Sequence, residues 1–202
     1  MSVAGRLVAW FRSYRGQPLS LVLRLAMLLH DLGKPDTFTI DENGSGHFYG
    51  HFKESVRKAE QIMKRLKFDN RSQQQILTLV ERHDSELGLN ARSVRRNLQR
   101  YGEETLRLLL KVKRADNMAQ APEFRSRQEL ITQWGQLLDL ELASASCFSL
   151  KQLAVNGKDL ASFGLEGKQI GDQLQEILML VIDDQLPNDR TVLLEYIKEK
   201  LS

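Results

Sequence analysis

The chain has 202 residues, 42% of them hydrophobic and 27% charged, with a formal net charge of +3. That length buries one sizeable core, or a core with a smaller helical unit appended, and the composition excludes a disordered or fibrous chain. No apolar stretch approaches the roughly 20 residues that cross a bilayer, the N-terminus lacks the arrangement of a signal peptide, and the single Cys147 forms no internal disulfide, so a cytoplasmic location is expected.

Residues 1–16 read as an amphipathic helix with Val3, Leu7, Val8, Trp10 and Phe11 on its apolar side. The spacing predicts a helix over 19–32, stopped at Gly33, with Pro35 preventing continuation. Two short alternating runs, 37–40 and 47–49, flank Asn43-Gly44 and predict a β-hairpin, the only strong strand signal. Helical spacing returns over 51–68. Asn70 is expected to cap a helix that ends near His83-Asp84, and Asn90 one over 91–101 that Gly102 breaks. A helix over 103–117 follows, Pro122 marks a joint, and a long helix is expected over 123–145. Shorter helices are predicted at 149–155, 157–163, 170–182 and 189–201. The expected fold is all-α, a helical bundle with one small hairpin. Its expected parts are a domain over 1–146 and a C-terminal helical unit over 147–202.

The positive charge is uneven. Arg57, Lys58, Lys64, Arg65 and Lys67 lie on one predicted helix, Arg92, Arg95, Arg96 and Arg100 on another, and Lys111, Lys113 and Arg114 on a third. Such clusters suit RNA or a phosphorylated ligand, and equally suit solvated helix faces, since acidic residues nearly balance basic ones.

The chemistry concentrates at His30-Asp31. An imidazole and a carboxylate at the end of an apolar run are costly to bury unless something pairs with both, and a divalent cation does so. His47, His51 and His83 follow, and no histidine comes after His83. Asp116, in Arg114-Ala115-Asp116-Asn117, offers a third ligand group from a separate helix. Mixed nitrogen and oxygen donors suit Mg, Mn, Ni, Fe, Co or Zn. Lys34, three residues past Asp31, is placed to touch a phosphate, or to sit as a cation at a helix end. His47 reads as an exposed strand residue and Cys147 as a small apolar one.

His30-Asp31-Leu32-Gly33-Lys34-Pro35, the hairpin ending His47-Phe48-Tyr49-Gly50-His51, and Arg114-Ala115-Asp116 resemble the HD-superfamily domain of bacterial tRNA nucleotidyltransferases and poly(A) polymerases. Asn156-Gly157-Lys158-Asp159-Leu160 with Ile170-Gly171 resembles the C-terminal region of the same enzymes. The resemblance implies metal-dependent hydrolysis of nucleotide or RNA-end phosphoesters, related to tRNA 3′-end CCA addition and repair. It implies His30, Asp31 and Asp116 as metal ligands, with Asp31 and Lys34 in the chemistry. His51 and His83 would then face the same cavity as second-metal or phosphate ligands. From charge and position, separately from the resemblance, Lys34, Arg92, Arg95 and Arg96 are candidate RNA or phosphate contacts. The chain departs from the family pattern in two places: 7–12 lack the usual upstream histidine, and Phe52 stands where an acidic residue often follows the histidine. The family's nucleotidyltransferase head carries a Gly-Ser motif and an Asp-x-Asp pair. Here Gly44-Ser45 lies in the hairpin and Asp139-Leu140-Glu141 in a helix, so nucleotidyl transfer is not expected from this chain alone. The implied partners are tRNA or a nucleotide phosphoester and a separate nucleotidyltransferase domain, with no membrane. The alternative is a non-catalytic RNA-binding body of a tRNA nucleotidyltransferase with a degenerate metal site.

Overall fold

The computed structural model describes residues 20–144 and 146–201, apart from the side chains of Pro122 and Glu123. The helix expected over 1–16 lies outside the described residues. The rest is all-α with one small hairpin, and no described helix is long and apolar enough to cross a membrane.

Helix α1 spans Leu21–Leu29, and the Ser20 hydroxyl caps it by accepting from the Leu23 amide at 3.3 Å. It ends sooner than its apolar spacing suggests, because His30 to Gly33 form a turn. Pro35 begins the next helix instead of only ending the last: it lies in the first turn of α2 (Lys34–Thr37), where its missing N–H leaves nothing unpaired. Gly33 is required by close approach, since a Cβ there would overlap the His51 carbonyl and the Ser55 amide. Its own N–H donates to Ser55 Oγ at 2.9 Å.

Strands β1 (Thr39–Ile40) and β2 (Gly46–His47) pair antiparallel, with Thr39 opposite His47. The Asp41 carboxylate closes the turn by accepting from the Asn43 and Ser45 amides at 2.9 and 2.8 Å, and Gly44 supplies φ +79°. Helix α3 covers His51–Arg65 and α4 covers Asn70–Arg82. Asp69, not Asn70, is the α4 cap, its carboxylate accepting from the Ser72 amide at 2.9 Å. Helix α5 (Ala91–Ala119) is broken in direction at Gly102 (φ 74°, ψ 161°), and Asn90 caps it through the Ser93 amide as expected.

A 3-10 turn at Pro122–Ser126 precedes α6 (Arg127–Ala143), so α6 starts later than its apolar pattern does. A single 3-10 turn, Leu150–Gln152, replaces the helix expected over 149–155. Helices α7 (Gly157–Ala161), α8 (Lys168–Ile182) and α9 (Arg190–Leu201) complete the chain.

Two compact units result. One holds the residues through Leu87 together with Glu103–Gly135; the other holds Gly88–Gly102 with the residues from Gln136 onward. In the first, Leu29, Ala59, Met63, Ile76 and Val80 form a closed apolar cluster from α1, α3 and α4. In the second, Cys147, Leu160, Ile177, Leu178, Leu193 and Ile197 do the same, and Cys147 is the small apolar residue expected. The joint expected at Cys147 therefore falls inside the second unit, which also takes in the first part of α5. The reason is Arg95. Its guanidinium donates to the Ile182 carbonyl at 2.9 Å and pairs with Glu141 and Asp184 at 3.2 and 2.5 Å.

Candidate metal centre

Everything in this centre belongs to the first unit. His30 follows α1, His51 opens α3, His83 follows α4, and Asp116 lies in the last turn of α5. The three rings are held alike. Each Nδ1–H donates to the main-chain carbonyl three residues earlier: His30 to Met27 at 2.9 Å, His51 to Phe48 at 3.0 Å, His83 to Val80 at 2.7 Å. A carbonyl only accepts, so the neutral rings carry their hydrogen on Nδ1 and a bare lone pair on Nε2.

All three lone pairs converge. His51 Nε2 lies 3.2 Å from His83 Nε2. Asp31 Oδ1 lies 3.6 Å from His51 Nε2 and 3.7 Å from His83 Nε2, and its Oδ2 is 3.3 Å from His30 Nε2. Asp116 Oδ1 is 3.4 Å from the same His30 nitrogen. Two buried atoms here, His30 Nε2 and Asp31 Oδ1, have no hydrogen-bond partner among the described residues. Lys34 and Gln120 donate to the outer oxygens of Asp31 and Asp116; the remaining lone pairs and inner carboxylate oxygens repel one another unless a positive charge, a proton or a cation, sits in their midst. Ligand atoms from His30, Asp31 and His83 all fall within 4.8 Å of one another, a spacing one divalent ion can bridge. The nitrogen and oxygen set, with Nδ1 engaged behind each ring, fits such an ion.

The electrostatics of the cluster run in the same direction. Burial alone would lower the His30 pKa, but Asp116 and Asp31 outweigh it and raise it to about 9. Burial likewise works against Asp31, yet His30 and Lys34 hold its carboxyl well below the usual range. Asp116 is lowered, His30 again overcoming burial. His83 is lowered chiefly by burial. The two carboxylates thus favour a proton on His30 near neutrality.

Lys34 sits beside this cluster, its Nζ 2.6 Å from Asp31 Oδ2 and 5.7 Å from the centre of the Phe48 ring. A cavity of about 510 Å³ opens next to it, lined among others by His83, Lys113, Asp116, Asn117, Gln120 and Arg127.

Lys113, read from the sequence as part of a basic surface cluster, is buried. Its ammonium donates to the His83 carbonyl at 2.9 Å and to the Ser85 carbonyl, tying the turn after α4 to α5. Burial lowers it to about 8. Its position three residues before Asp116, on the same helix face, was the available sign. The arginine face expected from Arg92, Arg95 and Arg96 is not presented as such. Arg95 is buried in its ion network, and Arg96 pairs with Asp183 at 2.6 Å, while Arg92 is exposed. Along α3, Arg57 pairs with Glu54, Lys64 with Glu60 and Lys58 with Asp36, so that basic helix is largely self-neutralised. His47 is half-buried, not exposed, and its Nε2 lies 2.9 Å from Asp41 Oδ2.

The family model described as "tRNA nucleotidyltransferase domain 2 putative" matches residues 47–197, most of the chain. A CCA-adding enzyme of Streptococcus gordonii is 37% identical over 87 residues, 42% of this chain and 22% of that protein. An A-adding tRNA nucleotidyltransferase of Deinococcus radiodurans is 37% identical over 100 residues, 49% of this chain and 23% of its own length. A CC-adding tRNA nucleotidyltransferase of Thermus thermophilus is 29% identical over 160 residues, 78% of this chain and 35% of its own. The chain thus spans between about a fifth and a third of the curated relatives it matches. No solved structure matches it.

Proposed function

The chain belongs to the tRNA nucleotidyltransferase domain 2 family, and on that premise we propose that its first unit is an HD-type phosphohydrolase. It acts on phosphoesters of nucleotides or RNA ends, tRNA 3′ ends among them. One observation carries this reading: ligand atoms of His30, Asp31 and His83 lie within 4.8 Å of one another, with Asp116 Oδ1 3.4 Å from His30 Nε2 and His51 Nε2 3.2 Å from His83 Nε2, and among the described residues His30 Nε2 and Asp31 Oδ1 lack hydrogen-bond partners.

His30, Asp31 and Asp116 hold a divalent ion (Mg, Mn, Ni, Fe, Co or Zn). His51 and His83 turn their Nε2 atoms to the same opening, as ligands to a second metal or to phosphate. Such an ion acidifies water and offsets charge on phosphoryl oxygens. Lys34 sets a positive charge beside Asp31, where a phosphate would also be attracted. The neighbouring cavity is large enough for part of a nucleotide. Lys113 holds the turn that carries His83 and so keeps that ring on the cavity wall.

The relatives' names support a second role, in which the C-terminal unit holds tRNA for a separate nucleotidyltransferase domain. That role needs no metal, and its phosphate contacts would weaken steeply with salt.

Elemental analysis of the purified protein, combined with hydrolysis of 2′,3′-cyclic AMP, tests the first reading. Bound divalent metal and activity lost in Asp31→Ala are expected. Equal activity in both proteins would falsify it, and tRNA binding at low salt by a metal-free, inactive chain would leave the second.

A further inference from the structure

The two oxygens of Asp116 have different partners. Oδ1 faces His30 Nε2 at 3.4 Å, and Oδ2 accepts from the Gln120 side-chain amide at 2.9 Å. Gln120 lies one helical turn on, and its own N–H reaches back to the Asp116 carbonyl at 3.2 Å.

A side-chain amide has one donating and one accepting end, so a turned-over Gln120 would set an oxygen against the carboxylate. Its neighbours settle which way it lies. Asn117 Nδ2 donates to Gln120 Oε1 at 3.3 Å and to the Phe124 carbonyl at 2.9 Å. Asn117 Oδ1 accepts from Gln128 Nε2 at 2.7 Å, and Gln128 Nε2 donates also to the Arg114 carbonyl at 3.1 Å. Carbonyls accept only, so Phe124 and Arg114 each fix the donating end of one amide. The three amides therefore run in a single direction, Gln128 to Asn117 to Gln120, and the row ends on an anion. Asn117, in the middle, is 3% exposed.

We infer that this amide row is a positioning device for the metal: it engages Oδ2 of Asp116 and leaves Oδ1 as the one oxygen offered to the ion. The inference rests on the metal reading above. Asp31 shows the contrast, since its Oδ2 is held by the Lys34 ammonium at 2.6 Å. Uncharged donors orient Asp116 without cancelling its charge, so the cation meets a full carboxylate already in its bound rotamer. Partners standing behind a metal ligand are typically worth roughly 10- to 100-fold in metal affinity.

The test titrates the full chain with Mn²⁺, following free Mn²⁺ by electron paramagnetic resonance, for wild type, Gln120→Leu and Gln128→Leu. Thermal unfolding of the metal-free forms is measured alongside. Gln120→Leu should weaken Mn²⁺ about 10-fold or more. Gln128→Leu, whose amide bonds go to Asn117 and Arg114, should weaken it by a smaller factor. Wild-type affinity in a folded Gln120→Leu overturns the inference, as does a lower unfolding midpoint in both variants with Mn²⁺ affinity unmoved. Should Gln120→Leu not fold, Gln128→Leu decides by the same criterion. A wild-type chain that takes up neither Mn²⁺ nor Zn²⁺ removes the metal reading itself, and this inference with it.

Discussion

His51 Nε2 and His83 Nε2 face each other at 3.2 Å, while each ring donates its Nδ1–H to a carbonyl three residues back. Two lone pairs that close, with Asp31 Oδ1 within 3.7 Å of both, have no attractive interaction of their own. The main chain fixes both rings with their Nε2 atoms toward each other and toward Asp31, and the consequences of the metal reading can be measured.

Metal uptake should release protons. His30 is raised to about 9 by Asp116 and Asp31 against the pull of burial, so near neutrality it carries a proton that a cation must displace. Apparent affinity for Mn²⁺ should then rise with pH, by up to about tenfold per pH unit, and level off near pH 9. Calorimetric titration in buffers of different ionisation enthalpy reads the released proton directly. Affinity independent of pH between 6.5 and 8.5 would sink this expectation.

The same shifts set the stability of the metal-free chain. His30 is raised, so its contribution is complete below its ordinary value of 6.5 and is lost as pH climbs through about 9. Asp31 and Asp116 are lowered, so theirs is complete above their ordinary 3.8 and is lost on acidification. Lys113 runs oppositely. Lowered to about 8, it costs stability below that pH and the cost fades toward its ordinary 10.5. Urea unfolding in chelator should therefore show a loss of stability between pH 6.5 and 8, and Asp116→Asn should flatten that slope. A slope unchanged in Asp116→Asn would mean that the His30 proton is held by something else.

Arg95→Ala should behave as a structural lesion. The side chain is buried against the Ile182 carbonyl and Glu141, and removing it strands Glu141 in the interior. Breaking a buried pair in this way costs roughly 3–5 kcal/mol. Arg92→Ala, at an exposed position on the same stretch of helix, should stay within about 0.5 kcal/mol of wild type. Denaturation midpoints distinguish the two, and equal midpoints would return Arg95 to the list of surface cations.

Met63→Ala removes a side chain with no exposed surface from the α1, α3 and α4 cluster. A loss of about 2–5 kcal/mol in unfolding free energy is expected. A loss below about 1 kcal/mol would show that the cluster closes over the space, and crystals of the variant would show how.

Much of this was legible along the chain. The apolar spacing of Leu23, Met27, Ile76 and Leu79, the turn at Asn43-Gly44, the cap at Asn90 and the break at Gly102 are local signals, and the structure keeps each of them. His30, Asp31 and Asp116 are candidates from residue type and position alone; in the structure both carboxylates lie within 3.4 Å of His30 Nε2, while the mutually closest set is His30, Asp31 and His83. Pro35 does keep the first helix from continuing, and its fixed φ also starts the next one, a second role its position after Gly33 does not announce. Lys113 and Arg95 were misread because a charged side chain looks alike on paper whether it meets water or a buried carbonyl.

Sequence alone determined where helices form and which residue types could take a cation, because both follow from near neighbours and side-chain chemistry. Tertiary structure alone decided that His51 and His83 point at one another, that Arg95 turns inward, and that three amides line up behind Asp116. Those arrangements depend on which helices pack together and at what rotation. No local pattern carries that information, because the energy that selects it comes from burying surfaces far apart along the chain.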